Sequence, residues 1–260
     1  MKNSNLFSKK NFNLLKEFTI AKFKRKDQAT FFGFLWSFFS PLIMTNILFF
    51  LFKNQIGQAF NINFFLYILI GAVNWNFFVV ATGFGITAIF SNGMMVKNVA
   101  FPKELVIFSD LLVYTIEYFL ELALIFLFMF FTGNGISWHV IFLLPLIFME
   151  ILLIAGAMFF LSCIYVIYAR DLNHVWNMAT RMLFFLVPVF YPLSMVPPNM
   201  KWFVLANPMT QIIIFSRDVL LYHRVPTLSH FMIIFCLCAV FFMMGYSFFK
   251  RHEFKMVETV

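Results

Sequence analysis

The sequence predicts an all-α integral membrane protein with six transmembrane helices, an N-terminal amphipathic interface helix and a re-entrant helix pair between spans 5 and 6. Three observations carry that prediction. The 260 residues are 62% hydrophobic and only 12% charged, with a mean hydropathy of +0.88, whereas soluble chains carry about 25% charged residues. Long apolar runs recur at spacings that fit six helices of roughly 20 residues. Finally, the stretch from Met178 to Leu221 is apolar yet holds Pro188, Pro192, Pro197, Pro198 and Pro208, five of the nine prolines. Proline removes an amide donor and clashes with the preceding turn, so this stretch is a broken element. Broken backbone is tolerated at membrane depth only where protein or a water-filled cavity covers it.

In chain order, residues 1–30 carry eight Lys and Arg against Glu17 and Asp27, an excess that marks a cytoplasmic segment. At 100° per residue Leu14, Leu15, Phe18 and Ala21 share a face, while Lys22 intrudes on it, and an interface helix is expected there. The spans are placed at 34–52, 64–90, 107–131, 140–168, 172–193 and 230–249. The loop 91–106 returns to polar surroundings. Asp171 is placed as the N-cap of span 5. The re-entrant gate is placed at 197–216, with an outer polar loop from Arg217 to Ser229. Of the 19 Lys and Arg, 15 fall on segments this arrangement places inside and 4 outside, in agreement with both termini in the cytoplasm. A chain of this size is too small to form a large transporter alone, so a second copy or a partner subunit is expected.

Several chemistries are excluded. The net charge of +8 flanks apolar spans as a topology signal and gives no nucleic-acid surface. Cys163, Cys236 and Cys238 lie in apolar helical stretches and offer neither disulfide nor metal spacing. The five histidines are scattered and no metal site is expected. No phosphate-binding loop of the Gly-x-x-x-x-Gly-Lys type occurs, so the chain binds no nucleotide in that way and is not expected to be catalytic. Two constellations remain. Glu117 and Glu121, one turn apart on span 3, share a face and stand either as polar channel lining or as a protonated or paired structural couple. Trp36, Phe39 and Phe184 are further candidates to line a conduit. The stronger candidate is the inner loop: Met95, Val96, Lys97, Asn98, Val99, Ala100, Phe101, Pro102, Lys103 and Glu104 are suited to a short helix with an apolar tip that plugs into a groove on a soluble partner.

Taken together, Gly33-x-x-Trp36-x-x-x-x-Pro41, the segment Lys97 to Glu104 with Phe101-Pro102, Arg170-Asp171, Pro188 with Tyr191-Pro192 and Pro197, and Asn207-Pro208 with Arg217 downstream resemble the permease subunit of ABC exporters for cell-envelope polysaccharides: O-antigen, teichoic acid or capsule. The resemblance implies a homodimer in a bacterial cytoplasmic membrane. Each subunit would bind a separate ATPase chain through the loop 91–106 and the leader helix (Leu14, Leu15, Phe18, Lys22), and that ATPase, not this chain, would hold ATP and magnesium. Pro188, Tyr191, Pro192, Pro197, Asn207 and Pro208 would shape an outer gate, and an aromatic-lined channel would pass a lipid-linked glycan. Glu117 and Glu121 have no counterpart in that pattern. Two rivals remain open at this point: an exporter of a drug or small lipid in the same superfamily, and a membrane-embedded enzyme of lipid-linked sugar metabolism, which should show clustered carboxylates or histidines.

Overall fold

The computed structural model describes residues 8–28, 35–57 and 63–260. Lys2, Gly33 and parts of the leader and first outer loop lie outside the described residues. The helices are α1 (Lys9–Gln28), α2 (Leu35–Phe52), α3 (Phe64–Ser91), α4 (Gly93–Asn98), α5 (Glu104–Phe131), α6 (Leu143–Ile167), α7 (Leu172–Leu186), α8 (Pro198–Ala206), α9 (Pro208–Leu220) and α10 (Leu228–Thr259), with 3-10 turns at Trp138–Phe142 and Leu193–Met195. No strand occurs among the described residues. Four segments are long and apolar enough to cross a membrane: Phe64–Ser91, Glu104–Phe131, Trp138–Ile167 and Leu228–Thr259. The chain is a multi-pass membrane protein.

Helix α3 is the centre of the bundle. Some 72% of its most apolar stretch is buried, against 11% for α10, so α3 forms the core and α10 presents its apolar side chains outward. α3 packs against α2, α5, α6, α7 and α9, α10 lies mainly along α6, and α1 lies along α5. The α6–α10 contact depends on absent side chains: a Cβ on Gly245 would meet the Gly156 carbonyl, and one on Gly156 would meet the backbone of Phe241 and Phe242. Small residues at a helix crossing let backbones approach in this way.

Boundaries depart from the sequence expectation at four places. Helix α7 ends at Leu186, not at 193, because the extended backbone at Val187 precedes Pro188 and a residue before proline is pushed out of the helical region. Asp171 makes no side-chain capping bond. Arg217 lies inside α9, which continues to Leu220, so the outer polar loop starts later than expected. And α10 does not stop at 249: residues 250–259 hold no Gly or Pro and continue the helix for about 15 Å, with Phe249 and Met256, seven apart, buried on one face.

Candidate functional site

At one end of the bundle the loop between α3 and α5 forms a braced projection. α4 is a six-residue helix followed by extended backbone at Val99. Its last carbonyls have no intrahelical partner. Lys103 fills that need: its Nζ donates to Val96 O at 2.6 Å and Val99 O at 2.8 Å and sits 4.3 Å from the Phe101 ring centre. Burial lowers the proton affinity of this ammonium, and Glu253 opposes the shift. Val96, Pro102, Lys103 and Glu104 are therefore buried, Met95 and Phe101 are half-buried, and Lys97, Asn98, Val99 and Ala100 are exposed together with Met94. Lys103 thus builds the loop and does not form part of its free surface, and the free apolar tip is Met94 and Val99 more than Phe101.

Two further elements clamp this projection. Phe101 meets Phe18 of α1 edge-on at 5.6 Å, and Lys22 Nζ pairs with Asp110 of α5 at 2.7 Å and donates to Val106 O at 2.9 Å. Burial lowers the Lys22 proton affinity, and the Asp110 carboxylate counteracts it. Leu14, Leu15, Phe18 and Lys22 all turn inward, whereas Ala21, expected on that face, is exposed. On the other side the α10 extension closes over the loop. Glu104, wholly buried, is ion-paired with Lys250 and accepts from Tyr246 Oη at 3.3 Å, Met256 is buried, and the Val260 side chain lies against Gly93.

About 36 Å along α3 from this end, the proline-rich element is held by one residue. The guanidinium of Arg217 is buried and donates from Nε to Tyr67 O at 3.1 Å, from Nη1 to Pro188 O at 2.7 Å and from Nη2 to Val189 O. It also stacks 3.6 Å from the Tyr67 ring centre. Pro188 O and Val189 O stand past the end of α7, where the helix break leaves acceptors unpaired, while Tyr67 O lies within α3, and the guanidinium fork suits several acceptors at once. Gly71 is part of the arrangement, since a Cβ there would strike the Arg217 guanidinium and the Val189 carbonyl. Tyr191 Oη reaches the last carbonyls of α7, Phe185 O and Leu186 O, at 3.0 Å each, while Tyr67 Oη donates to Tyr191 O at 3.2 Å. Pro198 and Pro208 begin α8 and α9, where the missing amide is no loss. Pro192 and Pro197 flank the 3-10 turn in extended conformations. Asn207 caps α9 by accepting from Met209 N at 2.9 Å.

Between these ends a groove of about 720 Å³ runs between α2, α3 and α7. Trp36, Pro41, Trp75 and Phe184 line it, with Asn76 and Arg181 among its polar members. Phe39 stands beside Trp36, ring centres 6.3 Å apart, outside the groove. α7 is fixed here by Trp176 Nε1, which donates to Thr82 Oγ1 at 3.0 Å. Glu117 and Glu121 are placed elsewhere: both are buried between α3 and α5, and Asn76 Nδ2 donates to Glu121 Oε1 at 2.9 Å. One turn away, Tyr118 Oη donates to Asn74 Oδ1 at 2.9 Å. Asn76 alone touches both the groove and their site, and Glu121 is hydrogen-bonded across the α3–α5 contact.

The profile of the ABC-2 type transporter family matches residues 13–221. The chain belongs to that family. It is also similar to curated relatives over nearly its full length. A Klebsiella pneumoniae protein named O-antigen export system permease protein RfbA is 21% identical over 250 residues, covering 96% of this chain and 95% of the relative. A Myxococcus xanthus protein of the same name is 25% identical over 239 residues, covering 91% of each.

Within this ABC-2 transporter, sequence reasoning located the projecting loop and the proline-rich element but missed what holds them. The Glu104–Lys250 pair joins residues 146 positions apart, and no local pattern announces it. Arg217 carried a signal that could have been used: with Asp218 it puts charge into an otherwise apolar helical run, and an arginine at membrane depth demands partners.

Proposed function

We propose that the chain is the permease subunit of an ATP-driven exporter that moves a lipid-linked envelope polysaccharide, such as O-antigen, teichoic acid or capsule, across a bacterial cytoplasmic membrane. The reading is supported by membership of the ABC-2 family together with relatives named as O-antigen export permeases that align from end to end. The chain then serves as a transport subunit, and ATP hydrolysis with its magnesium belongs to a separate ABC ATPase. Both termini and the α4 end face the cytoplasm, six spans (α2, α3, α5, α6, α7 and α10) cross the membrane, and α8 and α9 re-enter it from outside as the gate. Two copies form the transporter.

The observation that carries the mechanism is the braced α4 projection. Its exposed tip, Met94, Lys97 and Val99, is free to enter a groove on the ATPase, while Lys103, Phe18 and the α10 extension make it rigid enough to act as a lever. Closure of two ATPases on ATP moves both levers, and the displacement passes through α5 and α3 to separate α2 from α7 at the axis between copies. The test is co-purification in mild detergent from the native host. A P-loop ATPase should accompany the chain and be lost in Met94→Asp/Val99→Asp, with surface glycan lost in the same cells. If the ATPase stays bound, α4 is not the contact; if none is ever found, the exporter reading fails.

A further inference from the structure

The histidines are scattered along the chain, yet the fold brings two of them together. His139 belongs to the 3-10 turn Trp138–Phe142 before α6 and His223 to the turn that follows α9, and the 3-10 turn packs against α9. Their ring centres lie 6.3 Å apart, with the planes tilted by 36°. His139 is oriented by its neighbours: it stacks on Trp138, ring centres 4.3 Å apart, and its Nδ1 is 2.7 Å from Ser137 Oγ. In the tautomer whose Nδ1–H donates to that hydroxyl, Nε2 keeps its lone pair, and a partner on one ring nitrogen is how metal-binding imidazoles are held. His223 is the single residue other than glycine with a positive φ among the described residues, at 51°. It stands where the chain turns left-handed after α9: Leu221 N and Tyr222 N donate to Arg217 O, and Arg224 N donates to Asp218 O. Glycine usually takes such a place because it turns left-handed at no cost. Local packing gives no reason for an imidazole instead, since His223 is exposed and its side chain makes no hydrogen bond or ion pair among the described residues. The C-terminal end of the 13-residue α9 also favours positive charge beside it.

We propose that His139 and His223 bind one divalent transition-metal ion of the zinc, nickel or copper class, and that the ion ties the end of α9 to the turn before α6. Imidazole suits all of these ions, whereas magnesium and calcium take oxygen ligands. Zinc–nitrogen bonds of about 2 Å at a tetrahedral angle place two imidazole centres about 5 Å apart. From 6.3 Å the rings have to close by about 1 Å, and His223, exposed on its turn, has room to do so. Among the described residues no group of three His, Cys, Asp or Glu side chains is placed to share one ion. Water therefore completes the coordination, and the site is an open one from which the ion exchanges. The proposal goes beyond the exporter reading and does not rest on it; the element tied down is α9, one of the two helices assigned to the gate.

The test uses the full chain in detergent, purified through an affinity tag that contains no histidine, with zinc and nickel chlorides as probes and magnesium chloride as the control. Equilibrium dialysis should find one zinc ion per chain, and zinc should raise the melting temperature; magnesium should do neither. His139→Ala should lose both responses. His223→Gly separates the site from the fold: glycine accepts the left-handed turn without cost, so the metal-free variant should melt at or above the wild type and yet gain nothing from zinc. Ser137→Ala, which removes the hydroxyl that orients His139, should weaken zinc binding about tenfold or more, while His230→Ala should leave it unchanged. A wild type that binds no zinc, or one that magnesium stabilises as well as zinc does, overturns the proposal. Zinc bound with undiminished strength by His139→Ala or His223→Gly also overturns it and places the ion elsewhere. A zinc-dependent dimer in native mass spectrometry that His223→Gly abolishes overturns the strap within one chain in favour of a metal bridge between copies. Loss of the zinc response leaves ATPase co-purification untouched, so this site and the exporter reading fail separately.

Discussion

Two buried cations hold the two ends of this bundle, and they do so differently. Lys103 takes up carbonyls of Val96 and Val99, seven and four residues before it, on the turn it terminates. Arg217 takes up carbonyls of Tyr67, Pro188 and Val189, at separations of 150, 29 and 28 residues. An ammonium is a point charge that suits two acceptors on one turn, while a guanidinium presents five donors in a fixed fork that reaches three elements. The lysine therefore makes a local cap that shapes the α4 turn itself, to which α1 and the α10 extension add their braces. The arginine makes a junction, and α3, the end of α7 and α9 are positioned only in relation to one another. In the proposed mechanism the lever relies on the first property and the gate on the second.

The comparison breaks most visibly at Arg217. Arg217→Leu orphans the buried Pro188 and Val189 carbonyls, at about 1 kcal/mol or more each, and should cost at least about 2 kcal/mol; it is expected to accumulate poorly and to melt below the wild type in detergent. Arg217→Lys should recover only part, since one ammonium cannot span all three acceptors. Unchanged melting of Arg217→Leu would mean the junction is held by packing alone. Next in size is the second brace of the α4 end. Lys250→Met leaves the buried Glu104 carboxylate with Tyr246 as its polar partner and should cost about 1–2 kcal/mol, reduced because Lys250 is 37% exposed. Adding Glu104→Gln should restore most of the loss, and a double-mutant cycle with no coupling would dismiss the brace.

Lys103→Met should act locally. The expected loss is about 1 kcal/mol, seen as faster hydrogen exchange at residues 95–99 and weaker ATPase binding, with global melting nearly unchanged; a global drop would make Lys103 a junction like Arg217 and erase the contrast. The smallest effect belongs to Lys22 and Asp110, whose side chains are 17% and 16% exposed. Asp110→Asn should cost under about 1 kcal/mol and shrink further in high salt. An effect as large as that of Lys250→Met would promote α1 to a structural element of the lever.

How much of this was legible in the sequence varies with range. The membrane class, the run of apolar helices and the positions of Pro198 and Pro208 at helix starts follow from composition and from proline's missing amide, which are local properties. The loop 91–106 could be recognised as a projection because its breaks are encoded in Asn92-Gly93 and Phe101-Pro102. The role of Lys103 was misjudged because polarity alone suggests exposure, whereas its long stem reaches back to carbonyls that only the folded turn presents. For Glu117 and Glu121 two roles stayed open, because periodicity tells that two residues share a face but not which neighbour that face meets; the Asn76 contact across α3 and α5 appears only in the fold.

By itself, then, the sequence determined that this chain enters a membrane, where its helices break, and which end carries the excess of positive charge, because hydropathy, proline geometry and charge act through neighbours in the chain. Tertiary structure decided which carbonyl each buried cation serves, that the α10 extension closes on Glu104, and that α2, α3 and α7 leave a groove bordered by Arg181. Those contacts join residues up to 150 positions apart, and their partners become known only when packing has set the distances between helices.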